Sequence, residues 1–264
     1  MPPALRPAAL VAALLLLGAT AACSGMGVPG NRTPDGERGT VRPPKQVLLS
    51  AVRTLDDAGG ARVDVVEEGP AGRRTASGTL VWGARDTADL TVTDELGAGL
   101  LTARNGALDL AYQGGPARHA DRADAESLDP RAAAGAGPGG YAGGWMTGLV
   151  ANPGGRAYTM ALTGRFTSLG GEELAGGTVA HYRATAPVTD FFGADQGLTA
   201  DRLAAVLAYY RERGVTAIGY DFWVAPGDRL LRLRATAQGT GATVVTTTDV
   251  SEPGAGTEPP AATD

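Results

Sequence analysis

The strongest constraint on the fold is an alternation of apolar and polar residues with a period of two. It is clearest over residues 231–238, where the apolar positions are Leu231, Leu233, Ala235 and Ala237. Because successive residues of a strand point to opposite faces, this pattern is typical of an antiparallel sheet with one buried face. Similar short segments recur at residues 61–68, 75–82, 88–93, 99–104, 107–113, 164–169, 178–188, 218–224 and 242–250.

Two segments have the helical period instead, at residues 45–58 and 199–214. Thr199 is the predicted N-cap of the second helix. Residues 114–157 are rich in Gly, Pro and Ala and give no clear pattern beyond a short helix near residues 141–150. These elements predict an α+β fold with one large antiparallel sheet. A sheet of so many strands is expected to curl into a half-barrel, with the helices packed in its concave face.

The N-terminus has the pattern of an export signal. Arg6 precedes an apolar run over residues 8–17, and small residues follow up to Cys23. We therefore predict a lipoprotein signal peptide at residues 1–22. Residues 23–44 are predicted to form a lipidated cysteine and a flexible tether, residues 45–250 the folded domain, and residues 251–264 a disordered tail.

Cys23, the single cysteine of the chain, is the predicted site of lipid attachment. The preceding Thr20-Ala21-Ala22 resembles a bacterial lipobox, although Thr20 replaces the usual Leu. Two acyl chains on one cysteine anchor a protein stably where one would not. Ordinary secretion and an uncleaved signal are the alternatives. The expected location is the outer face of the cytoplasmic membrane.

Composition argues against several function classes. The formal net charge of −5 gives no electrostatic support for nucleic-acid binding. We predict no metal site and no cofactor, since one Cys and two His cannot build a Cys- or His-rich site. No nucleophile elbow or phosphate loop occurs, so we predict no catalytic residues and no enzyme. His119 is expected in a solvated loop, and His181 in a structural role.

Pairs of neighbouring residues give further local predictions. Glu67-Glu68 and Glu172-Glu173 lie next to predicted turns, so each pair is expected to be solvated rather than catalytic. Tyr209 is expected on the exposed face of the second helix. Phe191-Phe192 precedes that helix and forms either a lid over a cavity mouth or a core contact beneath the helix.

Several local motifs resemble the actinobacterial LppX/LprA/LprF/LprG lipoproteins and, more distantly, the LolA/LolB carriers. Besides the cysteine and tether, these are the segment Gly171–Tyr182, with its His-Tyr ending, and the hairpin containing Tyr220-Asp221-Phe222-Trp223-Val224 and Leu230-Leu231-Arg232-Leu233. The resemblance covers most of residues 45–250 and implies a half-barrel around an apolar cavity. It also implies binding of acyl chains of an envelope lipid or lipoglycan, as a carrier or chaperone.

The resemblance supplies no ligand-binding motif, so cavity residues are predicted only from inward-facing strand positions. Each is equally compatible with an ordinary core. The predicted set is Leu80, Trp82, Leu90, Val92, Leu108, Leu110 and Phe222. The alternative function is a non-catalytic envelope sensor or partner-binding lipoprotein with a filled core, contacting a membrane protein.

Overall fold

In the part of the chain that the structure describes, eleven antiparallel strands form one open sheet with helices packed against it. The computed structural model describes residues 42–83, 86–132 and 141–257. The strand order is β6-β5-β4-β3-β2-β1-β11-β10-β9-β8-β7, so the first and last strands of the chain pair in the middle of the sheet. The predicted α+β class and single antiparallel sheet are confirmed.

The strands follow one another mostly through short turns. Their bounds are β1 Gly60–Gly69, β2 Gly72–Val81, β3 Thr87–Asp94, β4 Gly97–Arg104, β5 Ala107–Tyr112, β6 Arg118–Asp121, β7 Arg165–Leu174, β8 Gly177–Pro187, β9 Ala217–Ala225, β10 Arg229–Gln238 and β11 Thr243–Ser251. The pair Asn105-Gly106 is a strong hairpin signal in the sequence, and it forms the turn between β4 and β5 with positive φ at both residues.

Five α-helices and one 3₁₀ helix complete the fold within the described ranges. Their bounds are α1 Pro44–Ala58, the 3₁₀ helix η1 Arg122–Leu128, α2 Trp145–Val150, α3 Pro153–Thr163, α4 Val188–Gly193 and α5 Ala200–Glu212. Thr199 caps α5, as predicted, by accepting a hydrogen bond from the backbone N–H of Arg202. Asn152 caps α3 in the same way through Gly154 N–H.

Strand register places most of the buried apolar residues of the sheet on one face, and a small cluster around Val179, Trp223 and Ala225 lies on the other. Val63 pairs with Val250, and Leu233 pairs with Phe222 on the neighbouring strands. On the other side of β1, Leu90 pairs with Leu101. The helices cover this face in two groups. One group, η1 and α2, packs on β1–β5. The other, α1, α3, α4 and α5, packs on β8–β11.

The stretch that the sequence left unassigned, residues 114–157, contains regular structure. It includes β6, η1, α2 and the start of α3. His119 lies on β6 rather than in a loop, and its exposed ring contacts Asp109. These elements are difficult to recognise in the sequence. The strand β6 is short and exposed, and Gly154 and Gly155 weaken the helical pattern in the first turn of α3.

The start of the predicted tail lies against the fold. The Gly254 N–H donates to the carbonyl oxygen of Gly60 at 2.7 Å. One backbone hydrogen bond thus joins this segment to the beginning of β1, and the disordered tail at residues 251–264 stays a prediction. The predicted signal peptide, Cys23 and residues 258–264 lie outside the described residues.

Candidate functional site: a cavity between the sheet and the helices

A cavity of about 500 Å³ lies between the inner face of β9–β11 and helices α4 and α5. That volume falls within the range of ~300–1,000 Å³ typical of small-molecule sites. Its outer end is formed by the β1–β2 turn, the β10–β11 turn and the last residues of α5. These two turns lie at the same end of the sheet because Glu68 of β1 pairs with Val245 of β11.

One wall of the cavity consists of aromatic rings in mutual contact. Phe191 and Phe192 of α4 meet edge to face at a centroid distance of 5.1 Å. Phe191 stacks on Tyr220 of β9 at 5.6 Å, and Phe192 stacks on Tyr210 of α5 at 5.2 Å. The wall therefore joins α4, α5 and β9, and opposite it the sheet presents the small side chains of Ala235 and Ala237.

Tyr141 and Tyr209 continue the aromatic wall toward the outer end, with ring centroids 5.0 Å apart. The Arg213 guanidinium lies 3.6 Å from the centroid of the Tyr209 ring. The prediction that Tyr209 is an exposed aromatic residue is wrong, because its ring is half-buried in this wall. Burial raises the pKa of Tyr141 and of Tyr210 above the usual value, so both hydroxyls remain protonated.

The inner end of the cavity is polar, because Arg156 of α3 reaches it. The Arg156 side chain also borders the centre of the sheet, near Val63, Val65 and Leu233. The guanidinium donates to the carbonyl oxygen of Gly144 at 3.4 Å. An arginine stays protonated at any physiological pH, so this position carries a fixed positive charge.

A buried ion-pair network borders the outer part of the cavity. Arg74 of β2 is 2% exposed and donates to Glu67 at 2.6 Å and to both carboxylate oxygens of Asp129 at 3.1 and 2.9 Å. Burial alone lowers the pKa of Arg74, but the two carboxylates outweigh it and raise the pKa above the usual value. The prediction that Glu67 is solvated is wrong, since its side chain points inward to Arg74.

A second buried carboxylate fixes the segment that carries Tyr141. Glu126 of η1 is fully buried and accepts from the backbone N–H groups of Ala142, Gly144 and Thr147. It also accepts from the Thr147 hydroxyl at 2.9 Å. Its acceptor capacity is thus used by the protein, which holds residues 142–147 beside the cavity.

The predicted cavity residues occupy the packed core rather than the wall of this cavity. All but Trp82 and Phe222 belong to the cluster beneath η1 and α2, and none of the seven lines the cavity. Trp82 is partly buried between the two clusters, and Phe222 is fully buried one ring beyond Tyr220. The predicted lid residues, Phe191 and Phe192, do line the cavity.

The sequence reading missed the residues that give the cavity its polarity and its rings. Arg156 lies in the unassigned stretch, but Asn152-Pro153 is a recognisable helix start, with an N-cap followed by Pro at the first position. That signal would have placed Arg156 on a helix. No local signal marks Arg74 or Glu67, because their pairing joins two strands and the segment after η1.

The outer face of the sheet carries a separate polar cluster around His181 of β8. Its ring nitrogens lie 3.0 Å from carboxylate oxygens of Glu172 and Asp221. The ring also stacks on Trp223 at 4.3 Å. Within the described ranges, no group of three or more His, Cys, Asp or Glu side chains is arranged to hold a metal ion. These contacts fit the structural role predicted for His181.

Comparison with known proteins gives likeness at the level of structure only. No protein-family model matches the sequence, and no curated protein matches it. LprF from Mycobacterium bovis matches with a TM-score of 0.46 and 14% identity, over 80% of this chain and 92% of that one. Lipoprotein LppX from Mycobacterium tuberculosis matches with a TM-score of 0.46 and 12% identity, over 80% of this chain and 98% of that one.

A LolA superfamily protein from Nitrosomonas europaea also matches, with a TM-score of 0.31 and 10% identity, over 80% of this chain and 93% of that one. The groups that the sequence motifs resemble are thus also found by structure. At these scores the likeness says nothing about ligands, and the function is argued from the cavity itself. Among helices in the described part of the chain, none is long and apolar enough to cross a membrane.

Proposed function

We propose that this protein is a lipid-anchored, non-catalytic protein of the cell envelope. Acyl chains on Cys23 hold it at the outer face of the cytoplasmic membrane. Its folded part binds an acyl chain of an envelope lipid or lipoglycan in the cavity and acts as a carrier or chaperone for that lipid.

The observation that carries this proposal is the cavity between β9–β11 and helices α4 and α5. A cavity of about 500 Å³ with an aromatic wall leaves apolar surface in contact with water when no ligand is bound. Transfer of an acyl chain into it removes apolar area from water, worth about 25 cal/mol per Å². The faces of Phe191, Phe192 and Tyr210, together with Ile218 and Val215, supply that apolar surface.

Attachment through the N-terminus is compatible with the position of the first described residues. Arg42 donates to Asp228 in the β9–β10 turn at 2.9 Å. The proposed tether therefore ends on the folded part just before α1, and the residues from Cys23 to this point set its distance from the membrane.

Partner binding is the second candidate function, and exposed apolar side chains favour it. Tyr158 and Leu162 are each 48% exposed and lie one turn apart on α3. Leu169 is 45% exposed on β7, which has a free edge in the described sheet. A membrane protein contacting this region would make the protein a sensor or an adaptor.

Native mass spectrometry tests the lipid-binding proposal. The chain from residue 23 onward, with Cys23→Ser to prevent acylation, retains the whole compact unit from Arg42. It would be purified from a high-GC actinobacterial host. A stoichiometric lipid lost on denaturation is the expected result. A ligand-free mass, with no uptake of offered lipids, would contradict the proposal and favour a protein partner.

A further inference from the structure

Arg156 is a partly buried cation that has no anionic partner among the residues that the structure describes. Five N–H groups of a guanidinium need acceptors. In the described part of the chain, Arg156 contacts the Gly144 carbonyl oxygen and the Tyr220 hydroxyl, and no carboxylate lies within ion-pair distance. Glu126, the nearby acid, already accepts four hydrogen bonds. Donors of Arg156 are therefore available to a group in the cavity.

The contrast with Arg74 shows that this arrangement is unusual within the same molecule. Arg74 is more deeply buried than the partly buried Arg156, and Glu67 and Asp129 neutralise it with charge-assisted hydrogen bonds. An enclosed charge without such partners is costly unless water or a ligand supplies them. At Arg156 the large cavity offers room for such a partner, because the side chain is part of its lining.

The guanidinium of Arg156 is held in place by its surroundings. It lies over Gly148 of α2, where a Cβ atom would come within 2.5 Å of one of its nitrogens. Only glycine leaves that space. Burial raises the pKa of the neighbouring Tyr220, so its hydroxyl stays neutral and adds no negative charge. The result is a fixed cation beside neutral phenol groups.

We propose that Arg156 forms an internal subsite for one anionic group, a carboxylate or a phosphate, at the end of a single-chain amphiphile. The anionic group would lie at the inner end of the cavity, and the chain would extend along the aromatic wall toward the outer end. Arg pairs well with both groups because its fork of N–H donors matches two acceptor oxygens. This inference rests on the proposed function, and it narrows the ligand class.

The test compares three probes that share a sixteen-carbon chain: palmitate, hexadecyl phosphate and hexadecanol. Delipidated protein from residue 23 onward with Cys23→Ser would be titrated with each probe by isothermal calorimetry. We expect the two anions to bind about tenfold or more tightly than the alcohol. Tighter binding of palmitate indicates a fatty acid, and tighter binding of the phosphate indicates a monoacyl phosphate.

Three variants locate the effect. Arg156→Met is expected to abolish the preference for anions while retaining hexadecanol binding, and Arg156→Lys to retain part of that preference. Gly148→Ala is expected to reduce it by displacing the guanidinium. Arg53→Met removes an exposed charge from α1 and serves as the control. Thermal melting of each variant verifies folding.

The outcomes separate this inference from the proposed function. Equal wild-type affinity for palmitate and hexadecanol, or a preference for anions that survives Arg156→Met, would overturn the anion subsite and leave acyl-chain binding intact. Failure of the wild type to bind any of the three probes would contradict the proposed function itself.

Discussion

The two halves of the sheet bury their inner faces in different ways. Beneath η1 and α2, the strands β1–β5 present Leu, Val and Ala side chains that are almost completely buried, such as Leu90 and Leu101 at 0% exposure. Beneath α4 and α5, strands β9–β11 and the helices present aromatic rings opposite small residues, and a cavity of about 500 Å³ remains. The first half is a packed core, and the second half encloses a cavity.

The difference shows that the shapes of facing side chains, rather than their hydrophobicity, decide whether a cavity remains between sheet and helix. Branched aliphatic side chains interdigitate to the density of a molecular crystal. Flat rings that stack on one another, such as Phe192 on Tyr210, support each other along the wall. Ala235 and Ala237 are too short to fill the space opposite them.

The largest effect is expected where the two halves meet, at Arg74. Arg74→Met would leave Asp129 buried without its cation and Glu67 with only Arg131, 3.6 Å away. Removing one partner of a buried ion pair costs about 3–5 kcal/mol. The free energy of unfolding in urea measures this loss. Arg73→Met is the matched control, because Arg73 is exposed and lies 3.8 Å from an exposed Glu68. A loss below about 1 kcal/mol for Arg74→Met would contradict the assigned role.

Truncation in each half is the next test of the comparison. Leu90→Ala in the packed half is expected to reduce the free energy of unfolding by about 2–5 kcal/mol, through lost burial and a new cavity. Phe192→Ala is expected to cost only about 1–2 kcal/mol, because part of its ring already faces empty space. Equal losses in urea titrations would show that both halves are packed alike.

Enlarging a small residue should have opposite consequences in the two halves. Ala103→Leu in the packed half is expected to destabilise by about 1–3 kcal/mol through overpacking. Ala237→Leu in the cavity wall is expected to leave stability nearly unchanged and to weaken palmitate binding. Thermal melting and calorimetry on the same two variants measure both effects. Unweakened binding by Ala237→Leu would place the ligand elsewhere.

The smallest effect is expected on the outer face, away from both halves of the core. His181→Gln removes contacts with Glu172 and Asp221, but Glu172 is half-exposed and Asp221 retains Arg183 at 2.8 Å. We expect a loss of about 1 kcal/mol or less and no change in palmitate affinity. A large change in affinity would connect the outer face to the cavity and refute the structural role of His181.

The sequence predicted the fold better than the site. Period-two alternation identified most strands, and Asn105-Gly106 identified one hairpin, because these signals are local. The helix α3 was missed because Gly154-Gly155 weakens its helical pattern, although Asn152-Pro153 marks its start. Consequently Arg156, one of the charged residues that line the cavity, could not be placed.

By itself, the sequence determined the inward positions of the regular strands, since alternation is local. It did not place Glu67, or Leu231, which a β-bulge in β10 turns to the outer face. Tertiary structure alone decided which inward residues are packed and which line a cavity. Leu90 and Ala237 both satisfy the alternation, but one lies under α2 and η1 and the other opposite α4 and α5. The spacing between sheet and helix is set by rings from distant segments, from Tyr141 to Tyr220, and no local pattern encodes that spacing.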